Sequence, residues 1–161
     1  MVPMSELPKA NVLGPTFAYD DTDPAGYRSG VVRVDRAVAG EALAVRAFEL
    51  PPDQSVCPYH YEYAEEWLLV LEGAVLMRTP TGEQELTAGE IVCFPPGPSG
   101  AHKVTNRAEQ PARIVMFSSA RKPAVAVYPD SDKIGVRSGN DDDRVMLRRR
   151  DGRVEYYDGE L

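Results

Sequence analysis

The sequence predicts an all-β domain whose short antiparallel strands close into a barrel or sandwich. Pro and Gly recur about every eight to twelve residues, and the runs between them are rich in Val, Leu, Ile, Tyr and Phe. Helical periodicity is hard to find, and no internal repeat or low-complexity tract interrupts the pattern. The 161 residues suit one domain with a real core, and a composition 43% hydrophobic and 27% charged is that of a globular chain.

Residues 1–30 carry several prolines and read as an irregular N-terminal arm. A barrel is expected over 31–122. Its strands begin with Val31 to Val34 and Leu43 to Glu49, punctuated by Pro51-Pro52-Asp53-Gln54. A strand carrying Tyr59 to Tyr63 follows, then a bend near Ala64 and a strand from Glu66 to Leu71. Gly73 marks a turn before Ala74 to Thr79, and Thr81-Gly82 makes a hairpin tip. Ala88-Gly89 separates Glu83 to Leu86 from Ile91 to Phe94. The run Pro95-Pro96-Gly97-Pro98-Ser99-Gly100 is a loop that no helix or inner strand accommodates. Lys103 to Asn106 and Ala112 to Ser118 complete the barrel. Over 123–161 the reading is a strand at Ala124 to Tyr128, a polar stretch from Pro129 to Arg144, and a hairpin. That hairpin joins Val145 to Arg150 and Arg153 to Tyr157 through Asp151-Gly152, as an extension packed on the barrel or a neighbouring subunit.

Eighteen Lys and Arg against twenty-five Asp and Glu leave a net charge of −7. That sign argues against nucleic acid or an anionic membrane as main partner, because both need clustered cations. Arg148 to Arg150, following Asp141 to Asp143, read as solvated surface. Residues 1–11 hold Glu6 and two prolines and no apolar core, so no secretory leader is expected, and no segment approaches the ~20 apolar residues of a membrane helix. Cys57 and Cys93 read as small buried hydrophobes in a reduced, cytoplasmic protein.

The chain has two histidines, and their neighbours carry the chemistry. His60 and Glu62 are two apart, so on a strand they emerge from one face. Glu66 has the same parity, but straight strand would carry it about 13 Å away, so it joins them only if the chain turns over Tyr63-Ala64-Glu65. His102 arrives from a separate strand behind the Pro-Gly loop. Four N and O donors then converge, as a divalent first-row metal requires. Tyr61, Tyr63, Trp67 and Lys103 have the opposite parity and are expected on the outer face of a sheet, in a subunit contact or under the N-terminal arm. Leu68 and Val70 share the ligand face, which makes the expected cavity wall largely apolar, with no free His or Lys in it.

These offsets resemble the two motifs of the cupin superfamily. The first, His-x-His, three or four residues, Glu, six residues, Gly, is matched by His60-Tyr61-Glu62, Glu66 and Gly73. The second, Gly, five residues, Pro-x-Gly, two residues, His, three residues, Asn, is matched by Gly89, Pro95-Pro96-Gly97, His102 and Asn106, with two extra residues before His102. The resemblance implies a cupin-type β-barrel (a jelly roll) and metal-ligand roles for His60, Glu66 and His102. It implies turn roles for Gly73, Gly89, Pro95 and Gly97 and a turn-closing role for Asn106. The departure is Glu62, where the family usually has its second histidine. Glu62 either completes the metal shell, giving two carboxylates on one ion (Zn, Fe, Mn or Ni), or stays free as a catalytic general base beside it. The implied functions are an oxygenase or isomerase acting on a small organic metabolite, or a non-catalytic metabolite-binding barrel with a structural metal. Cupins commonly pair through N-terminal strands, so a homodimer is expected.

Overall fold

A computed structural model describes residues 6–160; residues 1–5, which open the expected arm, and residue 161 lie outside them. Alternation along the strands builds two facing walls. The first wall holds β1 (Gly30–Arg33), β2 (Leu43–Leu50), β4 (Glu66–Glu72), β7 (Ile91–Phe94) and β9 (Ala112–Ser119) in the order β1-β2-β9-β4-β7, all neighbours antiparallel. Register sorts its inner face into rows. Phe48, Ile114 and Val70 form one, Arg46, Met116 and Leu68 the next, and Ala44, Ser118 and Glu66 the last.

The second wall is assembled from shorter pieces. β5 (Ala74–Thr79), β6 (Gly82–Thr87) and β8 (Lys103–Thr105) stand in the order β6-β5-β8. The backbone bridges Ser55–Thr105 and His60–His102 lay the segment leading into β3 (Tyr61–Glu62) beside β8. β3 pairs in turn with β10 (Ala124–Tyr128), which pairs with β11 (Lys133–Arg137) and then β12 (Val145–Arg148). Leu50, Leu68, Val70, Val75, Leu86, Val104 and Ile114 are buried between the walls and form the barrel core.

The outer face of the first wall is closed by the arm. Val12, Phe17 and Val32 pack on Val34, Ala47 and Val115, and Ala18 exchanges backbone hydrogen bonds with Val31 at 3.1 and 2.8 Å. Val34 leaves the expected first strand for a four-residue helix, α1 (Val34–Ala37). The expected hairpin over Val145 to Tyr157 is corrected. β12 pairs with β11, not with the residues after Asp151-Gly152, and 153–160 form only turns and irregular chain. The hairpin forms one step earlier, between β10 and β11 around Pro129-Asp130-Ser131-Asp132, inside the stretch expected to be polar loop. The physical reason lies in packing: Ile134 on β11 covers Tyr59, Tyr61, Ala101 and Val127, whereas Val154, Tyr156 and Tyr157 face solvent. Cys57 and Cys93 are both free thiols, Cys57 half-buried and Cys93 exposed, against the expectation of two buried ones. Among the described residues no helix is long and apolar enough to cross a membrane.

Asn106 closes a turn, as its motif position implies. Its fully buried amide donates to the Leu50 and Gln110 carbonyls, both at 2.8 Å, and its Oδ1 accepts from Ala108 N at 2.8 Å. Asn106→Ala orphans the buried Leu50 carbonyl and breaks two part-buried bonds, to Gln110 O and from Ala108 N, so a urea melt should show a loss of about 3 kcal/mol. A change below about 1 kcal/mol is incompatible with this role.

Candidate metal centre

His60 and His102 meet because their strands do. The two residues exchange both backbone hydrogen bonds, His60 N to His102 O at 3.1 Å and His102 N to His60 O at 2.8 Å. Directly opposed residues of an antiparallel pair put their side chains on one face, and the ring centroids lie 4.8 Å apart. Glu66 comes from the facing wall. β3 ends at Glu62, the chain bends over Tyr63-Ala64-Glu65, and β4 opens with Glu66 pointing inward. The required turn is therefore present. Glu66 Oε2 stands 3.6 Å from His60 Nε2 and 3.7 Å from His102 Nε2. One donor atom from each of the three residues lies within 4.8 Å of the other two.

The rings are held in the tautomer a metal needs. His102 Nδ1 faces the Gly100 carbonyl at 2.8 Å and His60 Nδ1 the Pro58 carbonyl at 3.0 Å. A carbonyl only accepts, so each Nδ1 carries a hydrogen, and each neutral ring would offer its Nε2 lone pair on the side that faces Glu66. Phe94 stacks on His102 with centroids 3.6 Å apart, and Tyr128 stacks on His60 at 5.7 Å. Among the described residues Glu66 Oε2 and His102 Nε2 are buried without a hydrogen-bond partner. A buried acceptor pair left open is costly unless a cation sits between them. The donor set, two imidazoles and a carboxylate, fits a divalent first-row ion.

Protonation follows the same logic. Burial pushes His102 down to about 4, leaving its imidazole neutral at pH 7. Burial also resists charge on His60, but Cys57, 3.4 Å from Nδ1, and the Glu66 carboxylate outweigh it and raise His60 to about 11. Glu66 pays the burial penalty yet lies below the usual range because both imidazoles and Arg137 favour its charge. Without an ion, this point draws a proton to itself. It is built for positive charge.

The loop before His102 explains the two residues extra to the motif. Gly97 has φ 85°, a left-handed conformation, and opens a 3₁₀ turn over Pro98–Gly100. At Gly100 a Cβ would collide with the Pro95 carbonyl oxygen, so only glycine lets the loop fold tightly enough to present its carbonyl to His102.

Glu62 lies outside the three-residue cluster but lines the same cavity, of about 320 Å³, with His60 and Glu66. Burial and the neighbouring Glu66 push its carboxyl above the usual range, while His60, Arg137 and Lys122 pull it back. Tyr63 is exposed, as its parity predicts; Trp67 stacks on Phe117 on the outer face, and Lys103 reaches Tyr27 Oη at 3.3 Å. The expected apolar wall is corrected. Leu68 and Val70 are buried in the barrel core, whereas Arg33, Arg46, Lys122 and Arg137 line the cavity. Arg46 was legible: it alternates with Phe48 and Leu50 on β2, which share its face.

Comparison with known proteins agrees with this geometry. Residues 46–118 match the family model described as "Cupin domain". The tetracenomycin polyketide synthase protein TcmJ of Streptomyces glaucescens is 29% identical over 75 residues, 47% of this chain and 49% of its own. The chain thus spans about half the length of that curated relative. A sugar phosphate isomerase of the cupin superfamily from Silicibacter pomeroyi superposes with a TM-score of 0.78 at 20% identity, over 92% of this chain and 98% of the other. A putative sugar phosphate isomerase from Acidithiobacillus ferrooxidans gives 0.73 at 20%, over 81% and 82%. The polyketide cyclase RemF of Streptomyces resistomycificus gives 0.58 at 19%, over 72% and 82%. At these identities the structures establish the fold, and residues 46–118, which carry both motifs, form a cupin domain.

Proposed function

We propose that this cupin is a metal-dependent enzyme that isomerises a small organic metabolite by proton transfer. His60, Glu66 and His102 hold one divalent ion (Zn, Fe, Mn or Ni), and Glu62 carries the proton. The observation behind this reading is the pair of orphaned atoms, Glu66 Oε2 and His102 Nε2, aimed at a common point. When bound, such an ion polarises a substrate oxygen as a Lewis acid. Glu66 and the two Nε2 atoms would hold it beside the cavity that His60 and Glu66 line, and the Gly100 and Pro58 carbonyls keep the imidazoles from rotating. Phe48, Val56 and Met116 in the cavity lining limit water around the reacting group.

The proton-carrying role of Glu62 is supported by its place on the cavity wall outside the three-atom cluster. A carboxylate there is free to accept a proton from the hydroxyl-bearing carbon next to a polarised carbonyl and deliver it to the carbonyl carbon, while the hydroxyl proton passes to the former carbonyl oxygen. The likeness to two isomerase structures favours the same class. One observation favours a second reading: two imidazoles and one carboxylate also form the face of non-haem iron oxygenases.

The test is elemental analysis of the purified protein, followed by incubation of the metal-loaded protein with small hydroxy-carbonyl compounds in D₂O. The expected result is one metal per chain and metal-dependent deuterium incorporation without oxygen consumption. Bound iron with oxygen uptake replaces the isomerase by an oxygenase; a metal-loaded protein that turns over nothing leaves a binding barrel. Glu62→Gln should keep the metal and lose turnover by about a hundredfold or more. Loss of metal from this variant would instead place Glu62 in the coordination shell.

A further inference from the structure

The chain is acidic overall, but the cavity beside the metal centre is not. Four cationic side chains line it, Arg33, Arg46, Lys122 and Arg137, against three carboxylates, Asp35, Glu62 and Glu66. Two of those carboxylates are already committed. Asp35 takes Arg33 in a two-pronged ion pair, Nε to Oδ1 at 3.2 Å and the terminal nitrogen to Oδ2 at 2.8 Å. Glu66 belongs to the imidazole cluster. Arg46, Lys122 and Arg137 remain, and among the described residues none of them makes a salt bridge.

Arg46 is the telling member. It sits at an inward position of β2, paired with Met116 and one row from Ala44, Ser118 and Glu66. Its Nε is buried with no hydrogen-bond partner. A half-buried arginine with an unpartnered Nε is costly, and Met or Leu would fill that position without the penalty. Arg137 reaches the same space from the opposite wall. It is paired with Ala124 in the β10–β11 register, and Ala126, two residues on, is paired with Glu62, so Arg137 and Glu62 share a sheet face. Lys122 comes from the connection between β9 and β10. Three chain segments therefore bring unpaired cations to one cavity that His60 and Glu66 of the metal centre also line.

We infer that Arg46, Arg137 and Lys122 form an oxyanion subsite that holds a carboxylate or phosphate group of the substrate. Arg46 supplies the inner, bidentate contact, and Arg137 and Lys122 close over it from the rim. Substrates are then small metabolites with an anionic tail, and the 320 Å³ cavity limits them to a few carbon atoms between tail and reacting carbonyl. This deepens the isomerase reading by naming the substrate class, but the subsite stands on the unpaired cations alone.

The experiment is isothermal titration of the full chain at low salt with inorganic phosphate and, separately, acetate, both metal-loaded and after chelation, with metal content measured in parallel. Wild type should bind at least one anion saturably in both forms, and the tighter of the two identifies the tail. Arg46→Gln should weaken binding about tenfold or more at unchanged metal content. Arg137→Gln and Lys122→Gln, at exposed positions where folding is not at stake, should each weaken it several-fold, and Arg153→Gln, outside the cavity, should not. No saturable binding by wild type, or binding indifferent to all three cavity substitutions, overturns the subsite. A protein that binds the anion but holds no metal overturns the metal reading and leaves the subsite standing.

Discussion

Replacing His60 or His102 with Ala is expected to empty the metal centre while the barrel stays folded. The strand pairing that brings the two residues together runs through their backbones, N to O in both directions, and does not depend on the rings. What the substitutions remove is an Nε2 donor. Loss of an outer-shell partner alone lowers metal affinity about ten- to hundredfold, so loss of a ligand should cost on the order of a thousandfold or more. Metal per chain should fall from about one to below about a tenth after dialysis. His102 lies against Phe94 and is only 1% exposed, so its truncation also leaves a hole worth about 2–3 kcal/mol. That cost is partly offset, because the orphaned Nε2 goes with the ring. Elemental analysis together with a thermal melt separates the two effects. Full occupancy in both variants would falsify the assignment.

The parts of the site that sequence could reach were those fixed by strand parity and a motif. His60 and Glu62 share a face because the period of a strand is two, and the bend that returns Glu66 to them follows from the distance straight strand would impose. That His60 lies directly opposite His102 is a register, and register depends on a pairing between segments some forty residues apart, so only the motif spacing hinted at it. The cations were missed for two different reasons. Arg46 carried a readable signal, an arginine in step with Phe48 and Leu50, but one charged residue in a strand is ordinarily solvated. Arg137 carried almost none. Lys133-Ile134-Gly135-Val136-Arg137 does alternate, yet it is short and is followed closely by Asp141-Asp142-Asp143. Local turn chemistry favoured the Asp151-Gly152 hairpin. Burial of Ile134 over Tyr59 and Tyr61 favoured the earlier one, and tertiary packing outweighed the turn.

Gly100→Ala should damage both stability and metal affinity, although residue 100 touches no metal. The Cβ added there would run into the Pro95 carbonyl oxygen and lie 3.0 Å or less from the Pro95 carbonyl carbon and nitrogen, all backbone atoms that cannot swing aside. The turn over Pro98–Gly100 must therefore open, at a cost of about 3 kcal/mol, within the range for strain imposed on a close backbone approach. Opening it withdraws the carbonyl that accepts from His102 Nδ1 at 2.8 Å. His102 then loses the contact that fixes its tautomer and aims Nε2 at Glu66, and metal affinity should drop about ten- to hundredfold. Gly14→Ala is the matched control, since a Cβ there meets nothing within 4 Å. Urea unfolding of the chelated proteins reads the first effect, and a competitive metal titration reads the second. If Gly100→Ala unfolds and binds metal like Gly14→Ala, the loop does not position His102. If it loses stability alone, the Gly100 carbonyl is a structural acceptor with no hold on the ligand.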